Sequence, residues 1–153
     1  MPRTSTKACL NASPTDYRLD NQIGFQMRRA YQRASANLTA QLAGFNLTPP
    51  QFSTLAKLYE CGRISQNLLG RLVAMEPPNI RDVVLRLRKR GLIRAERDAA
   101  DKRLVLLSLT ASGSSLFEAL QPLSTRSTAE TLAPLRNSER KLLLDLLRRV
   151  ADA

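Results

Sequence analysis

The spacing of apolar residues along the chain predicts a protein built mainly of amphipathic helices. Between Asp20 and Leu42, apolar side chains recur every three or four residues, which is the period of one helix face. We expect Gly44 to end this first helix. Its apolar stripe consists of Ile23, Met27, Ala30, Tyr31, Ala34, Leu38 and Leu42.

Three shorter helices with tight connections are predicted next. Thr48 precedes two prolines and Ser65 precedes a short apolar run, so each is an expected N-cap. The third helix begins after Glu76 at a second pair of prolines and runs over residues 77–90 to Gly91. Such an arrangement is typical of a helix-turn-helix. The expected core-facing residues are Phe52, Leu55, Ala56 and Tyr59, then Leu68, Leu69 and Leu72, then Ile80, Val83, Val84 and Leu87.

After Gly91 the pattern changes from the period of a helix to that of a strand. Residues 92–97 and 103–109 are strand-like, and the polar loop 98–102 joins them, so together they predict a β-hairpin. A hairpin that directly follows a helix-turn-helix is a wing.

Two further helices are predicted at the end of the chain. Thr110 is the expected cap of the first, in which Pro122 predicts a kink and Pro134 a break, and Ser138 is expected to begin the second. The terminal helices carry more apolar surface than a small winged domain can cover. We therefore expect them to pack against a second copy of the chain, the alternative being that they fold back on their own domain. The final stripe is Leu142, Leu143, Leu146, Leu147 and Val150.

These elements predict a mainly α fold with a small β-hairpin wing. A winged helix-turn-helix DNA-binding domain is expected over 47–110, flanked by a dimerisation region over 16–46 and 111–153. Residues 1–15 are polar, with little apolar periodicity, and predict a flexible arm. Because no secretory signal or membrane span is recognisable, we expect a cytoplasmic protein.

Charge indicates the kind of partner. Lys and Arg number 24 against 13 Asp and Glu, which gives a formal net charge of +11. This balance suits a polyanion, and we expect double-stranded DNA rather than a membrane. The sequence contains no His, and Cys9 and Cys61 are far apart and form no paired motif. We therefore expect no enzyme, no bound metal and no cofactor.

Four short blocks resemble the MarR family of bacterial winged-helix regulators. They are LTPPQF at 47–52, LRKRGLI at 87–93, DKR at 101–103 and LTASG at 109–113, and with the flanking helices the resemblance covers about residues 17–151. It implies a homodimeric repressor of transcription that binds a palindromic operator. It also implies release from DNA by a small, often aromatic and anionic, ligand.

The helix over residues 77–90 is the expected recognition helix, because its polar side lies opposite an apolar stripe that can dock it. Asn pairs with adenine, Arg pairs with guanine, and Asp can accept a hydrogen bond from cytosine. Residues near the N-terminus of such a helix usually reach base edges. The alternative is that Asp82 forms an ordinary ion pair on the helix surface. The expected base contacts are Asn79, Arg81, Asp82 and Arg86, with Lys89 on phosphate.

The wing is expected to contact the DNA backbone or minor groove. From residue 81 to 103, nine Lys or Arg residues stand against four Asp or Glu, a net of +5. In the wing motif of the family an Asp holds an Arg that reaches the DNA, and Asp101 and Arg103 match that motif. Arg97 and Lys102 are expected to contact phosphates. Ala99 stands where the family often has proline, which leaves the shape of the wing tip open.

The first helix bears on what the regulator senses. Residues 19–25 resemble family members that sense organic hydroperoxides, but those members carry their reactive cysteine where this chain has Gly24. Glycine supplies no thiolate, so peroxide sensing is disfavoured. We expect Cys61 to be a small buried residue and Cys9 to lie on the flexible arm. A redox-sensing repressor that uses Cys9 or Cys61 stays an alternative, as does a ligand-independent architectural DNA-binding protein.

The segment RRAYQRA at 28–34 resembles family members that regulate aromatic-acid catabolism, including nicotinate-pathway repressors. The resemblance implies that a small aromatic carboxylate is the effector, bound between the dimerisation helices and the winged domain. Aromatic side chains can stack on its ring while polar side chains hold its carboxylate. At each aromatic position, packing in the core is the alternative. The expected ligand residues are Arg18, Asn21, Gln22, Phe25, Phe52 and Tyr59.

Overall fold

The computed structural model describes residues 17–153, so the arm predicted over 1–15 and Cys9 lie outside the described residues. This part of the chain contains six α-helices and three short strands. The helices are α1 (Ile23–Leu42), α2 (Pro49–Cys61), α3 (Gln66–Leu72), α4 (Pro77–Lys89), α5 (Ala111–Thr131) and α6 (Asn137–Ala151); the strands are β1 (Ile64–Ser65), β2 (Ile93–Arg97) and β3 (Val105–Leu109).

The described residues divide into two units, one ending at Arg33 and one running from Ala34 to Ala153, so the boundary lies within α1. The second unit holds the hydrophobic core, which gathers side chains from the end of α1, from α2 to α5 and from the sheet. Burial of this apolar surface is the main force that holds the second unit together. Its fully buried members are Leu42, Leu55, Leu58, Leu69, Ile80, Leu87 and Leu120.

The two ends of α1 differ from the sequence prediction. A turn of 3-10 helix precedes α1, which begins at Ile23 rather than at Asp20. At its other end α1 stops at Leu42, and a second 3-10 turn leads to Asn46, whose φ of 52° is left-handed. Asn adopts this conformation more readily than most residues. The prediction that Gly44 ends the helix is therefore wrong, because the reversal lies at Asn46.

The predicted N-caps of the helix-turn-helix are confirmed. The hydroxyl of Thr48 accepts a hydrogen bond from the Gln51 amide at 3.4 Å, and the Gln51 side chain accepts one from the Thr48 amide at 3.1 Å, which completes a capping box. The hydroxyl of Ser65 accepts from the Leu68 amide at 3.3 Å. Both caps satisfy amides that a helix leaves unpaired at its N-terminus, so α2 and α3 begin at these residues.

The ends of α3 and α4 have the same backbone geometry although their sequences differ. Each helix is followed by a left-handed residue, Ala74 (φ 53°) after α3 and Gly91 (φ 70°) after α4. In the first case the Met75 amide donates to the Gly70 carbonyl at 2.9 Å, which is the long bond of a Schellman motif. An alanine in this conformation costs about 1 kcal/mol relative to glycine. The turn between α3 and α4 therefore forms without the glycine that usually marks it.

The hairpin is confirmed, and it belongs to a sheet of three antiparallel strands in the order β1-β3-β2. Ile93 pairs with Leu109 and Arg97 with Val105, which gives the wing its register. Strand β1, where Ile64 pairs with Leu107, was not predicted from the sequence. A strand of two residues is too short to show an alternating pattern in the sequence, so β1 is recognised only by its pairing with β3.

The C-terminal helices leave apolar surface uncovered. α5 continues past Pro122 to Thr131, and α6 begins at Asn137, one residue before the predicted start. No residue of α6 is buried in the described chain, and Leu142 and Val150 are 57% and 61% exposed. Of the predicted stripe of α6, Leu143 alone is partly covered within residues 17–153, and the other four members are exposed.

Three of the residues expected to face the core are exposed instead. Tyr59, Leu68 and Leu72 retain 42%, 37% and 45% of their surface. They lie on short helices that contact the core along a narrow stripe, through Leu55 and Leu58 in α2 and through Leu69 in α3. In α3, Leu68 and Leu72 share one face, which lies about 100° around the helix from the face of Leu69, so the three cannot all contact the core. Tyr59 stands in the last turn of α2, which ends at Cys61.

Candidate nucleic-acid interface

The predicted recognition helix α4 has one buried face and one exposed face. Two prolines occupy its first turn, where their missing amides cost no hydrogen bond, and Glu76 precedes them as N-cap. The apolar stripe packs into the core, as predicted, and leaves the rest of the helix in solvent. Its buried members are Ile80, Val83, Val84 and Leu87.

The exposed face of α4 carries every residue that we expected to contact DNA from this helix: Asn79, Arg81, Asp82, Arg86 and Lys89. The Arg86 Nε donates to the Asp82 Oδ2 at 2.9 Å, and both side chains are more than half exposed. This is the intrahelical ion pair considered as an alternative to base contact. An exposed pair of this kind is weak, so both groups can exchange it for DNA contacts. The side chain of Arg81 makes no hydrogen bond or ion pair with another residue of 17–153.

The wing loop is ordered by two carboxylates. Oδ1 of Asp98 accepts hydrogen bonds from the amides of Ala100 and Asp101, both at 2.9 Å. The Asp98 amide donates to the Leu104 carbonyl at 2.8 Å, which closes the loop at its base. Oδ1 of Asp101 accepts from the Arg103 amide at 3.0 Å. Asp101 thus holds Arg103 through its backbone amide and leaves the Arg103 side chain exposed.

The exposed cations of the wing lie around this ordered loop. Arg97 ends β2, while Lys102 and Arg103 stand in the turn before β3, and all three side chains are exposed. Ala99, which replaces the proline of the family pattern, lies at the exposed tip between the residues that Asp98 holds. The loop is therefore fixed by side-chain acceptors rather than by the ring of a proline.

Removing the Asp98 carboxylate is expected to loosen the wing. The amides of Asp101 and then Ala100, with a smaller effect from the Arg63 guanidinium, hold the pKa of Asp98 below its ordinary value. In Asp98→Ala we expect the amides of Ala100 and Asp101 to exchange with solvent about three to ten times faster. Asp98→Asn keeps one acceptor oxygen and is expected to lie between the wild type and Asp98→Ala.

The same contact predicts a pH dependence with a definite sign. Because the pKa of Asp98 is lower in the folded state, its contribution to wing order is complete above the ordinary pKa of Asp and is lost as pH falls through the lower folded value. Amide exchange and chemical shifts at Ala100, followed by NMR as pH is lowered, measure this. Equal exchange at Ala100 in wild type and Asp98→Ala would contradict the role given to this carboxylate.

A charged cluster that was not predicted from the sequence lies beside the wing. Glu96 on β2 lies 3.5 Å from Arg94 and 3.7 Å from Arg63, and Arg94 Nε also donates to the Ser108 hydroxyl at 3.1 Å. Arg94 and Ser108 are cross-strand partners, so the hairpin register could have revealed their contact. Arg63 joins the cluster only because β1 pairs with β3, and no local signal predicts that pairing.

Four of the expected ligand residues lie in the first unit. Arg18 and Asn21 are exposed at the 3-10 turn, where the Arg18 carbonyl accepts from the Asn21 amide at 3.0 Å and from Nε2 of Gln22 at 3.4 Å. Phe25 is half-buried, and the guanidinium of Arg29 lies 5.8 Å from the centre of its ring. Arg29, which was not among the expected ligand residues, thus places a cation over this aromatic ring.

The other two expected ligand residues lie on α2 in the second unit. Phe52 is 9% exposed and its ring centre lies 5.6 Å from that of Phe117 in α5. Tyr59 packs on the same ring at 4.9 Å, and its hydroxyl donates to Oε1 of Glu118 at 3.1 Å, a contact that raises the pKa of Tyr59. Both aromatics therefore join α2 to α5, and Tyr59 keeps an exposed edge.

The two positions that bear on redox sensing are also resolved. Cys61 is exposed, so the expectation that it is buried is wrong. It is the last residue of α2, and the chain turns away at Gly62, which leaves the cysteine beyond the part of the helix that packs on the core. Gly24 has open space around it, with no atom within 4 Å of the position that a Cβ would take.

Two structural findings concern other classes of partner. No group of three or more metal-ligating side chains occurs among residues 17–153. Over the same residues, no helix is long and apolar enough to cross a membrane.

The fold and this basic, exposed surface define a winged helix-turn-helix protein of the DNA-binding kind. The chain belongs to the MarR family. Residues 47–105 match the sequence profile of that family. The HTH-type transcriptional repressor NicR of Pseudomonas putida is 33% identical over 153 residues, which cover 100% of this chain and 97% of NicR.

Two solved structures extend the comparison. The crystal structure of a probable transcriptional regulator from Pseudomonas aeruginosa shares 43% identity with a TM-score of 0.81, covering 87% of this chain and 99% of that one. BpsR of Bordetella bronchiseptica, whose DNA binding is regulated by 6-hydroxynicotinic acid, shares 34% identity with a TM-score of 0.85, covering 91% of this chain and 99% of BpsR. The relatives are transcriptional regulators, and the resemblance to aromatic-acid regulators stated from the sequence is confirmed.

Proposed function

We propose that the protein is a homodimeric transcriptional repressor that binds a palindromic operator and is released from it by a small aromatic carboxylic acid. In this proposal residues 47–110 bind DNA, while residues 16–46 and 111–153 form the dimer. The observation that carries it is the division of α4 into a face buried in the core and a face of exposed base-reading side chains, followed directly by a basic wing.

The exposed polar face of α4 supports sequence-specific binding. Asn79 and Arg81 stand in the first turns of the helix, where side chains of recognition helices reach base edges. Arg86 and Asp82 are free to exchange their mutual ion pair for contacts to guanine and cytosine. The remaining exposed cations fix the position of the protein on the phosphate backbone without reading sequence. They are Lys89, Arg97, Lys102 and Arg103, with Asp101 holding the last in place.

Uncovered apolar surface supports the dimer. On α6 the side chains of Leu142, Leu146 and Val150 are 57%, 43% and 61% exposed, and in the first unit Ile23 and Tyr31 are 73% and 68% exposed. Apolar stripes of this size on a monomer mark an interaction surface, and a symmetric pair of chains buries the same stripe twice. The two copies of α4 then lie about one helical turn of DNA apart, roughly 34 Å, and read an inverted repeat.

Similarity to BpsR supports an aromatic acid as effector, because the DNA binding of that relative is regulated by 6-hydroxynicotinic acid. In the first unit Phe25 offers a ring for stacking, and Arg18, Asn21 and Gln22 offer groups for a carboxylate or hydroxyl. On α2, Phe52 and Tyr59 are the further candidates, of which Tyr59 has the more accessible ring. The two α4 helices can adopt a spacing that fits DNA and a spacing that does not. Release requires that the acid bind the second conformation more tightly than the first.

Footprinting on the protein's own promoter, followed by fluorescence anisotropy on the protected site, tests this function. We expect a short protected palindrome that is bound more tightly than a scrambled duplex of equal length. If each protomer neutralises about four phosphates, log affinity should fall with log salt with a slope near −7. Addition of 6-hydroxynicotinic acid should release the DNA, with a coupling of about 1–3 kcal/mol.

Two matched variants separate the proposed roles. Arg103→Ala should weaken binding to every duplex, whereas Asn79→Ala should relax preference at one base pair by about 1–3 kcal/mol. Equal affinity for palindrome and scrambled duplex would instead favour the architectural protein. Release by peroxide but by none of a set of aromatic acids would favour a redox sensor, for which the exposed thiol of Cys61 is available.

A further inference from the structure

Arg90 differs from the other cations at the end of α4. Its Nη1 donates to the Asn46 carbonyl at 2.8 Å, and its Nη2 donates to the Phe45 carbonyl at 3.0 Å. The side chains of Arg88 and Lys89, the preceding two residues, make no hydrogen bond or ion pair with any residue of 17–153. One of three consecutive cations is therefore committed to the protein backbone, while its neighbours stay available to DNA.

The two carbonyls that Arg90 contacts lie just after the end of α1, where they are open to a side-chain donor. They lie at the end of the 3-10 turn Ala43–Phe45, where helical carbonyls have no partner further along the chain, and the left-handed Asn46 turns the chain away from them. The end of such a turn carries partial negative charge. A guanidinium that reaches both oxygens makes two charge-assisted bonds in a fixed plane, which the single ammonium of a lysine cannot reproduce.

No other side chain of residues 76–90 hydrogen-bonds to another element within residues 17–153. The remaining contacts of α4 with the core are apolar, through residues such as Ile80 and Leu87. Apolar contacts are non-directional, so they set which face of α4 is buried but constrain the direction of its axis less than hydrogen bonds do. The bonds of Arg90 are directional and lie at one end of α4, where a small displacement changes the direction of the whole helix.

We propose that Arg90 is a positioning residue, which fixes the direction of α4 against residues 42–46 and thereby sets the spacing of the two recognition helices, and that it does not bind DNA phosphate. The inference rests on the proposed function, because it concerns how a palindrome is read. From the charge count alone, all nine cations between residues 81 and 103 would be assigned to DNA binding. The inference gives one of them, Arg90, a role within the protein instead.

The test compares Arg90→Lys with Arg88→Lys, since both keep the charge and only the first loses the two-pronged contact. Each protein is titrated with the footprinted palindrome and with palindromes whose half-sites are one base pair closer or further apart. We expect the wild type and Arg88→Lys to discriminate between spacings by about tenfold or more. In Arg90→Lys the discrimination should fall to about twofold, with affinity for scrambled DNA and the salt slope unchanged.

Discrimination between spacings is a ratio measured on one preparation, so a loss of folded protein alone does not move it. Unchanged discrimination in Arg90→Lys would overturn the inference. A salt slope that is smaller by about one in Arg90→Gln than in the wild type would also overturn it, because such a change indicates a lost phosphate contact. If the wild type itself has no spacing preference, the proposed function fails. The inference is then judged on free protein, where amide exchange in α4 must be faster in Arg90→Lys than in Arg88→Lys.

Discussion

Gly113→Ala is expected to destabilise the winged domain by about 3 kcal/mol or more. A Cβ on this residue would lie well inside the contact distance of the Leu92 carbonyl oxygen, and 3.1 Å from the carbonyl carbon. That oxygen belongs to the backbone and accepts a hydrogen bond from the Thr110 amide at 3.1 Å, so it cannot move aside without breaking the bond. The Gly113 amide in turn donates to the Thr110 hydroxyl, which caps α5.

Gly44→Ala is the matched control for this substitution. Gly44 lies in a helical turn, and its added Cβ would meet no atom within 4 Å. The change is therefore expected to shift stability by less than about 1 kcal/mol. Urea unfolding at one fixed protein concentration, followed by circular dichroism, compares the two variants. A midpoint for Gly113→Ala equal to that of Gly44→Ala would show that α5 can move away from Leu92 at little cost.

Leu146→Glu is expected to separate the proposed dimer into monomers and so to abolish tight operator binding. Burying one leucine contributes about 1.5–3 kcal/mol, and a two-fold axis places the substitution in the interface twice. The dimer dissociation constant should therefore rise by a factor of about 10² to 10⁴. Sedimentation velocity measures the monomer fraction, and anisotropy on the palindrome measures the loss of affinity that follows when only one half-site can be held.

Leu144→Glu provides the comparison, because Leu144 is 50% exposed on the same helix but lies outside the stripe formed by Leu142, Leu146 and Val150. It loses as much apolar surface and gains the same charge. We expect it to remain a dimer. If both variants dissociate equally, the stripe is not the interface, and if neither does, the dimer is held by other parts of the chain.

The helices of this protein could be predicted from the sequence because their signals are local. Thr48, Ser65 and Thr110 each cap the amide three residues further along, and the four apolar residues of α4 share a face whatever they pack against. The exposed side of α4 follows from the same periodicity. For this reason every residue expected to contact DNA from that helix is where the sequence placed it.

Other features could not be predicted because they depend on residues distant in sequence. The contact of Arg63 with Glu96 exists because β1 pairs with β3. The two residues of β1 are too few to show the alternating pattern from which a strand is predicted. Exposure of Cys61 follows from where α2 leaves the core, which its own spacing does not reveal. The wing motif does not specify how Asp101 contacts Arg103, and only the fold shows that the Asp101 carboxylate accepts a hydrogen bond from the Arg103 amide.

The sequence by itself determined the order of the elements, the buried and exposed faces of α4 and the basic character of the surface around it, since periodicity, capping and charge are properties of neighbouring residues. Only the tertiary structure decided which cations are free and which are engaged. Arg88, Lys89 and Arg90 are indistinguishable in the sequence as successive positive charges. Arg90 alone meets the carbonyls of Phe45 and Asn46, because folding brings the end of α1 and the end of α4 together across 44 residues.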